Sequence, residues 1–304
     1  MTAGLPEAGV AAVITAFDPG DSLVAVAASV LGQVRTVVVV DDGSTAAGSD
    51  AVLEACHRLG CTVVRRPDNG GIAAALNSGV AKALSASPPP ELILTLDQDS
   101  ELPQGYVEAA VAARRAAERH GIPVAMVAPE RVAGLPSRVR GSPHGVLLGG
   151  EPIQSGLLVP TAVLRSVGLF DESLFIDGVD ADFYLRCVDA GLVVVLVPGA
   201  ILTHRLGSRH SVRLLGRALV LGGVAVELTH AQPFRYYFLA RNRIALVRRH
   251  GRRHPGWAAG QLVGLVRHLL LVTALVPGRV ERSGWLLRGA RDGLGGVTGP
   301  APGR

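Results

Sequence analysis

Short apolar runs alternate with amphipathic stretches through the first hundred residues of the chain. The apolar runs predict four strands, and the stretches between them predict three helices. In chain order these elements are the strand Val10–Ala16, the helix Asp21–Leu31, the strand Thr36–Val40, the helix Asp50–Leu59, the strand Cys61–Arg65, the helix Ile72–Leu84 and a strand that begins at Leu92. Thr36–Val40 contains four valines, which is typical of a strand buried on both faces. The alternation predicts an α/β fold, in which helices cover a mostly parallel sheet.

Short segments that contain aspartate follow three of these strands at the point where each strand ends. They are Phe17-Asp18, Asp41-Asp42 and Asp97-Gln98-Asp99. Ligands of parallel sheets bind outside the carboxyl ends of the strands. Carboxylates two residues apart on an extended backbone point to the same side, so a hard cation with its diphosphate fits between Asp97 and Asp99. A strand followed by an acidic turn is the alternative interpretation of the same residues.

Two glycine-rich phosphate-binding signatures are missing from the sequence. No G-x-G-x-x-G follows the first predicted strand, and the chain has no Walker loop. A nucleotide bound by this protein is therefore expected to be held by carboxylates and a metal ion rather than by a glycine-rich anion cradle.

Charge is distributed unevenly along the 304 residues, a length that fits one large domain or one domain with an appendage. Residues 201–304 contain 17 arginines and three acidic residues, a net charge of +14, while the first 200 residues contain 13 basic and 22 acidic groups, a net charge of −9. A basic surface attracts anionic lipid, nucleic acid or phosphorylated substrates. No RRM, KH, helix-turn-helix or zinc-finger pattern is present, so we expect no nucleic-acid partner.

Five ordered motifs resemble those of family 2 glycosyltransferases with a GT-A fold. They are VVVVDDGS (37–44), NGGIA (69–73) before Asn77, LTLDQDS (94–100), FDESLFIDGVDADFYLR (170–186) and LTHRLG (202–207). Within that family the chain most resembles the rhamnosyltransferase branch, through LDQDS, FIDGVDADFYLR and RYYFLARN (235–242). The resemblance spans roughly residues 10–247. It implies an inverting, metal-dependent hexosyltransferase that uses a nucleoside diphosphate sugar, here a dTDP- or UDP-sugar.

The resemblance also implies roles for individual residues on the donor side. Asp42 corresponds to the aspartate that hydrogen-bonds the pyrimidine or ribose, with Asp41 as a weaker candidate. Asp97 and Asp99 correspond to the DxD motif, in which Asp99 is the stronger ligand for Mg²⁺ or Mn²⁺, and His204 corresponds to a histidine that completes the metal or diphosphate site. The remaining candidates are Thr15, Ala16 and Phe17 beside the base, Arg66, Asn69 and Gly70 at the diphosphate, and Gln154 and Ser155 beside the donor sugar.

Asp180 is the predicted general base for the acceptor hydroxyl. The resemblance places it at the second residue of the family's acidic pair, but the first residue of that pair is Val179 in this chain. Asp177 and Asp182 are alternatives for the base. Asp182 also lies four residues before Arg186, a spacing typical of a helical ion pair.

The C-terminal third is expected to form a separate region. We predict a catalytic domain over residues 1–210, with a donor half of about 1–100 and an acceptor half of about 101–210, and a helical, Arg-rich region over 211–304. Trp257–Val276 is mostly apolar but contains Arg267 and His268 at its middle. A central arginine disfavours a spanning helix, so we predict a helix lying in the membrane interface. Packing against the catalytic domain or formation of a homo-oligomer is the alternative.

These patterns together predict a rhamnosyltransferase that extends a polysaccharide or lipid-linked glycan of the cell envelope. Two alternatives stay open: the same fold with a galactofuranosyl or hexosyl nucleotide, and a catalytically silent membrane-associated subunit of a glycan assembly complex. The first 17 residues lack the basic start and long apolar core of a signal peptide, and the three cysteines match no metal spacing. Both observations predict a cytoplasmic protein, and the predicted interface helix places it at the inner face of the cell membrane.

Overall fold

The computed structural model of the chain describes residues 9–204, 208–211, 213–214, 217–218, 220–221, 224–225 and 227–301. The chain divides into two compact units. One unit comprises Met1–Phe175 and Val179–Arg205, and the other comprises Ile176–Gly178 and Leu206–Arg304.

A central sheet organises the first unit. Its strands are β1 (Val10–Ala16), β2 (Thr36–Asp41), β3 (Thr62–Arg65), β4 (Leu92–Asp97), β5 (Ser100–Glu101), β6 (Val124–Val132), β7 (Leu135–Pro136), β8 (Val139–Gly141), β9 (Leu148–Gly149), β10 (Leu157–Pro160) and β11 (Val193–His204). The order across the sheet is β3-β2-β1-β4-β10-β6-β11-β9-β8, with β5 paired to β11 and β7 to β6. Strands β1 to β4 are parallel to one another, as β6 is to β11, whereas β10 is antiparallel to both of its neighbours. The prediction of a mostly parallel α/β sheet is confirmed.

Among the described residues, six α-helices of the first unit lie between these strands in the sequence. They are α1 (Ser22–Val30), α2 (Ser49–Arg58), α3 (Ile72–Leu84), α4 (Tyr106–Arg119), α5 (Thr161–Val167) and α6 (Val179–Asp189). Helix α3 packs on β1 and β2, and α4 packs on β6 and β11. Gly79 allows α3 to approach the sheet closely, because a Cβ at this position would lie 2.2 Å from a methyl group of Val13.

The core of the first unit lies on both faces of the parallel strands. Val37, Val38, Val39 and Val40 are all nearly inaccessible to solvent, as the run of valines predicts. Complete burial of each such side chain contributes roughly 1.5–3 kcal/mol relative to exposure. The buried strands fix the sheet rigidly, and they therefore fix the loops that leave its carboxyl edge.

Helices and short strands form the second unit. The helices are α7 (Arg235–His250), α8 (Pro255–Leu275) and α9 (Arg279–Gly295), and the strands are β12 (Ser208–Ser211), β13 (Arg213–Leu214), β14 (Arg217–Ala218), β15 (Val220–Leu221), β16 (Val224–Ala225) and β17 (Glu227–His230). Within the predicted helical region 211–304, the helices begin at Arg235, and the described residues from 211 to 230 form short strands. Strands β15 and β16 are paired antiparallel to each other. The predicted boundary at residue 210 falls within β12.

Candidate active site

The carboxyl ends of β2, β1 and β4 lie side by side in the sheet. Ala16 of β1 is paired with Asp41 of β2, and Thr15 is paired with Asp97 of β4. The Phe17 N–H donates to the side-chain oxygen of Gln98 at 2.8 Å, so the chain leaving β1 is attached to the DQD turn. The structure therefore brings together the residues predicted to surround the nucleoside and those predicted to hold the diphosphate.

Asp42 is a buried carboxylate, 4% exposed, that accepts hydrogen bonds from three protein donors. Its Oδ1 accepts from Arg66 Nε at 2.7 Å and from the Gly70 N–H at 3.1 Å, and its Oδ2 accepts from the Gly71 N–H at 2.7 Å. Burial raises the pKa of Asp42, while the two N–H groups and the Arg66 guanidinium act in the opposite direction. The carboxylate thus joins the end of β2 to the turn that opens α3.

The Asn69-Gly70-Gly71 turn is used differently from its predicted role. The sequence predicts that its N–H groups face a diphosphate, but those of Gly70 and Gly71 donate to Asp42. The Asn69 side-chain oxygen also accepts from Gly71 N at 3.1 Å. Arg66 donates further to Ser78 Oγ at 2.6 Å and to the Ala74 carbonyl at 3.2 Å, and both of these acceptors are on α3. The turn is therefore part of the support for Asp42.

Asp41 and Asp18 build the neighbouring loop. Asp41 Oδ1 accepts from both the N–H and the hydroxyl of Ser44. Asp18 Oδ1 accepts from the N–H groups of Thr45 and Ala46, each at 2.9 Å. Sequence reasoning did not assign this role to Asp18, although aspartate is a residue type that typically binds backbone N–H groups in loops.

The DQD turn lies between β4 and β5, and both of its aspartates are partly buried. Ser100, directly after Asp99, is paired with His204 in the ladder between β5 and β11, so the backbone of His204 lies beside this turn. The His204 side chain lies outside the described residues. Among the side chains that the structure describes, no three His, Cys, Asp or Glu groups lie together as a metal site. Two carboxylates that share a Mg²⁺ or Mn²⁺ ion with substrate phosphates need no third acidic residue, so Asp97 and Asp99 fit such an ion.

The loop before β10 is attached to the end of β4. The Asp97 N–H donates to Ser155 Oγ at 3.0 Å, and Thr95 Oγ1 donates to the Gln154 carbonyl at 2.6 Å. The side chain of Gln154 is 6% exposed, and neither its nitrogen nor its oxygen has a hydrogen-bond partner among the described residues. Because an unsatisfied buried amide is unfavourable, this side chain is suited to binding a polar ligand.

Helix α6 carries the three candidates for the general base at or just before its start. Asp180 is the second residue of the helix and is partly buried, and its Oδ1 accepts from the Ala181 N–H at 2.8 Å. Asp182 is fully buried and pairs with Arg186 Nε at 2.8 Å. Arg186 also donates to the carbonyls of Val167 at 2.9 Å and Leu169 at 2.7 Å, at the end of α5. The Asp182–Arg186 pair therefore has a structural role.

The third candidate, Asp177, belongs to the second unit and pairs there with Arg235 of α7. Asn242, on the same helix, donates to the carbonyls of Ile176 and Asp177, both at 2.7 Å. Asn242 is buried and its side-chain oxygen accepts from Arg241 Nε at 2.8 Å. These contacts give structural roles to Arg235, Arg241 and Asn242 of the RYYFLARN motif, which sequence reasoning had not assigned.

Comparison with known proteins gives both sequence and structural relatives. The family model described as "Glycosyl transferase family 2" matches residues 11–139. Over 95% of its length the chain is 27% identical to dTDP-rhamnosyl transferase RfbF of Shigella flexneri, and the alignment covers 96% of that protein.

Two solved structures are similar over much of the chain. S. aureus TarS 1-349 in complex with UDP is 15% identical over 93% of this chain and 89% of that one, with a TM-score of 0.48. Glucosyl-3-phosphoglycerate synthase from Mycobacterium tuberculosis, solved with Mn²⁺, UDP and glucosyl-3-phosphoglycerate, is 16% identical over 66% of this chain and 72% of that one, with a TM-score of 0.44. The chain spans 42% of the longer TarS structure.

Proposed function

We propose that this chain, which matches the family 2 glycosyltransferase model over residues 11–139 and is 27% identical to a dTDP-rhamnosyl transferase over 95% of its length, transfers L-rhamnose from dTDP-rhamnose. The acceptor is a hydroxyl group of a cell-envelope or lipid-linked glycan. The observation that carries the proposal is the pairing of Ala16 with Asp41 and of Thr15 with Asp97 at the ends of three neighbouring strands, with Asp42 directly after Asp41. This edge of the sheet can hold a nucleoside at one end and a diphosphate at the other.

The donor lies along this edge in our proposal. Asp42 accepts from the base or ribose, and Thr15, Ala16 and Phe17 border the base. Arg66, which pairs with Asp42, brings a positive charge to the side of the site proposed for the diphosphate. The unpaired amide of Gln154, held beside Asp97 through Ser155, hydrogen-bonds the hydroxyl groups of the sugar.

Asp97, Asp99 and His204 would hold a Mg²⁺ or Mn²⁺ ion, with Asp99 as the stronger ligand. Such an ion, when bound, neutralises charge on the departing diphosphate. Removal of metal with a chelator is expected to abolish transfer, and Asp99→Ala is expected to abolish metal-dependent donor binding. Metal-stimulated binding that persists in Asp99→Ala would contradict this assignment.

Asp180 acts as the general base in this mechanism. Its carboxylate takes the proton from the acceptor hydroxyl as the oxygen attacks the anomeric carbon. The bond between that carbon and the diphosphate oxygen breaks, and the nucleoside diphosphate leaves from the opposite face, which inverts the configuration. The helix N-terminus favours a negative charge at Asp180, because the partial positive charge of the macrodipole lies there.

A panel of nucleotide sugars tests the proposed activity. We expect transfer from dTDP-rhamnose and little or none from UDP-hexoses or UDP-galactofuranose, measured by release of the nucleoside diphosphate in the presence of acceptor. Preference for another donor would replace rhamnose in the proposal, and dTDP binding without transfer from any donor would favour a catalytically silent subunit. Asp180→Asn should abolish transfer while leaving donor affinity nearly unchanged, and full turnover by that variant would refute the base assignment.

The second unit offers an apolar surface that we propose binds the cytoplasmic membrane face. By length and composition α8 could cross a membrane, but Arg267 lies near its middle and is exposed. Large apolar side chains of α8 are also exposed: Leu262, Val263, Val266 and Leu270 lie along one side of the helix, and Leu271 lies outside that side. Residues 235–295 contain 12 arginines and only two acidic residues, so the charge of this region complements anionic headgroups. A second copy of the chain is the competing occupant of this surface.

A further inference from the structure

The segment Phe170–Phe175, which leads towards α6, is held by one side chain of α3. Asn77 Nδ2 donates to the Phe170 carbonyl at 2.9 Å, and the Phe170 N–H donates back to Asn77 Oδ1 at 3.1 Å. The same Nδ2 donates to Glu172 Oε1 at 2.8 Å. Asn77 is 9% exposed, and 93 residues of chain separate it from Phe170. Its amide is thus satisfied by a segment distant in sequence that ends five residues before Asp180.

The first turn of α3 holds the other end of the same segment. The Ile72 N–H donates to the Phe175 carbonyl at 2.8 Å, and the preceding N–H, that of Gly71, donates to Asp42. Gly71 has a φ of +87°, and a Cβ there would lie 2.3 Å from the Phe175 carbonyl oxygen. Only glycine allows this approach. The N–H of Gly71 therefore contacts Asp42, the candidate nucleoside-binding carboxylate, and the adjacent N–H of Ile72 contacts Phe175, in the segment before the candidate base.

Phe175 adopts a backbone conformation that an aromatic residue avoids unless neighbouring groups enforce it. Its φ is +64°, in the left-handed region, and Asp177 and Gly178 also have positive φ values. Because only four residues separate Phe175 from Asp180, a change in the hydrogen bond between Ile72 and Phe175 alters the path of the chain into the first turn of α6. The contacts of α3 therefore act on the position of Asp180 through the backbone.

We propose that α3 couples donor recognition to placement of the base, with Gly71 and Asn77 as positioning residues. Nucleotide binding at Asp42 fixes the turn at Gly71. This turn in turn fixes Phe175 and the residues that lead into α6. Asn77 keeps Phe170, at the start of the same segment, in place. Ser78, beside Asn77, contacts Arg66 and thus the donor side of the helix. This inference rests on the proposed function, because it takes Asp42 as a donor contact and Asp180 as the base.

Asn77→Ala and Glu172→Ala test the coupling, with Lys82→Ala, an exposed position of the same helix, as the matched control. We expect Asn77→Ala to bind dTDP as wild type does by calorimetry, and to lower kcat on the order of tenfold to a hundredfold because the base is misplaced. Glu172→Ala removes one of the three hydrogen bonds of Asn77, so its kcat should fall less. Lys82→Ala should match wild type in both measurements.

Hydrogen exchange gives a readout that does not depend on turnover. Addition of dTDP to wild type should slow exchange of peptides covering residues 170–182, and in Asn77→Ala this protection should be lost although dTDP still binds. Wild-type kcat with full protection in the folded Asn77→Ala protein would overturn the proposal, as would equal losses of dTDP affinity and kcat. If Asn77→Ala does not fold, Glu172→Ala, at an exposed position, decides by the same criteria.

The two proposals fail separately. Protection of residues 170–182 by dTDP in a protein that does not transfer rhamnose would remove the donor assignment and leave the coupling standing. Rhamnose transfer by a protein in which nucleotide leaves this segment unprotected would remove the coupling and leave the function.

Discussion

Asparagine substitutions at Asp180 and Asp182 would separate the proposed catalytic carboxylate of α6 from the structural one. Asp182 is fully buried and pairs with Arg186, whose guanidinium also holds two carbonyls at the end of α5. Asp180 is partly buried in the first turn of the helix. The two variants should therefore fail in different assays.

The expected loss of stability in Asp182→Asn follows from the contacts of the carboxylate. Breaking a buried ion pair typically costs about 3–5 kcal/mol, and a hydrogen bond to a charged group contributes about 1.5–3 kcal/mol. Asparagine keeps the shape and one oxygen, and Arg186 keeps its carbonyl acceptors, so we expect a loss of about 2–3 kcal/mol. For a unit of this size such a loss lowers Tm by roughly 4–12 °C.

Thermal unfolding followed by circular dichroism and rhamnose transfer at 25 °C would measure the two effects. Asp182→Asn should lower Tm and leave transfer close to wild type. Asp180→Asn should keep Tm and lower transfer on the order of 10²–10⁴-fold, the usual contribution of a general base. The same substitution at Asp21, which is exposed and makes no side-chain hydrogen bond to the start of α1, is the control and should change neither. Loss of transfer in Asp182→Asn at an unchanged Tm would refute the assignment of Asp180 as the base.

Three further predictions concern other parts of the chain. Ellman's reagent at pH 8 should label none of the three cysteines of the folded protein, because all are buried and burial raises the pKa of Cys61 to about 11 and of Cys187 to about 12; labelling before unfolding would contradict this. Tyr106→Phe should lower the free energy of unfolding in urea by about 1–3 kcal/mol, because its hydroxyl donates to a buried carbonyl at 2.6 Å; an unchanged midpoint would count against that estimate. The double substitution Val266→Glu and Leu270→Glu should abolish flotation with anionic vesicles, because it places negative charge on the apolar side of α8. If the substitution instead causes loss of dimers in solution, this side is an interface between copies of the chain.

The sequence predicts the first half of the sheet well because each element there is specified by its own residues. A run of valines is buried in a parallel sheet. Because β2 and β4 are parallel, the acidic residues that follow them lie at the same carboxyl edge of the sheet. The ion pair between Asp182 and Arg186 is similarly local, since residues four apart lie on one side of a helix. These features need no knowledge of distant segments.

Features that depend on distant partners could not be predicted in this way. The N–H groups of Gly70 and Gly71 serve Asp42 because β3 lies beside β2, which brings Arg65 next to Asp41. If β3 paired with β2 in another register, the N–H groups of Gly70 and Gly71 in the same turn sequence would be open to a ligand. Asn77 did carry a signal, a polar side chain on the buried side of α3, but its acceptors are more than 90 residues away.

If Asp42 binds the donor base as proposed, its contacts limit how the protein can distinguish thymine from uracil. A carboxylate offers about four lone-pair sites, and three are taken by Arg66, Gly70 and Gly71, which leaves one on Oδ2. One acceptor can bind the ring N–H that both bases share, so it cannot read the methyl group by which they differ. Apolar contact must supply that preference, and Phe17, 36% exposed at the end of β1, is placed to provide it. Burial of one methyl group contributes about 0.8 kcal/mol, or about fourfold in affinity. Phe17→Ala should therefore reduce the ratio of dTDP to UDP affinity by about that factor, and an unchanged ratio in calorimetry would place the discrimination elsewhere.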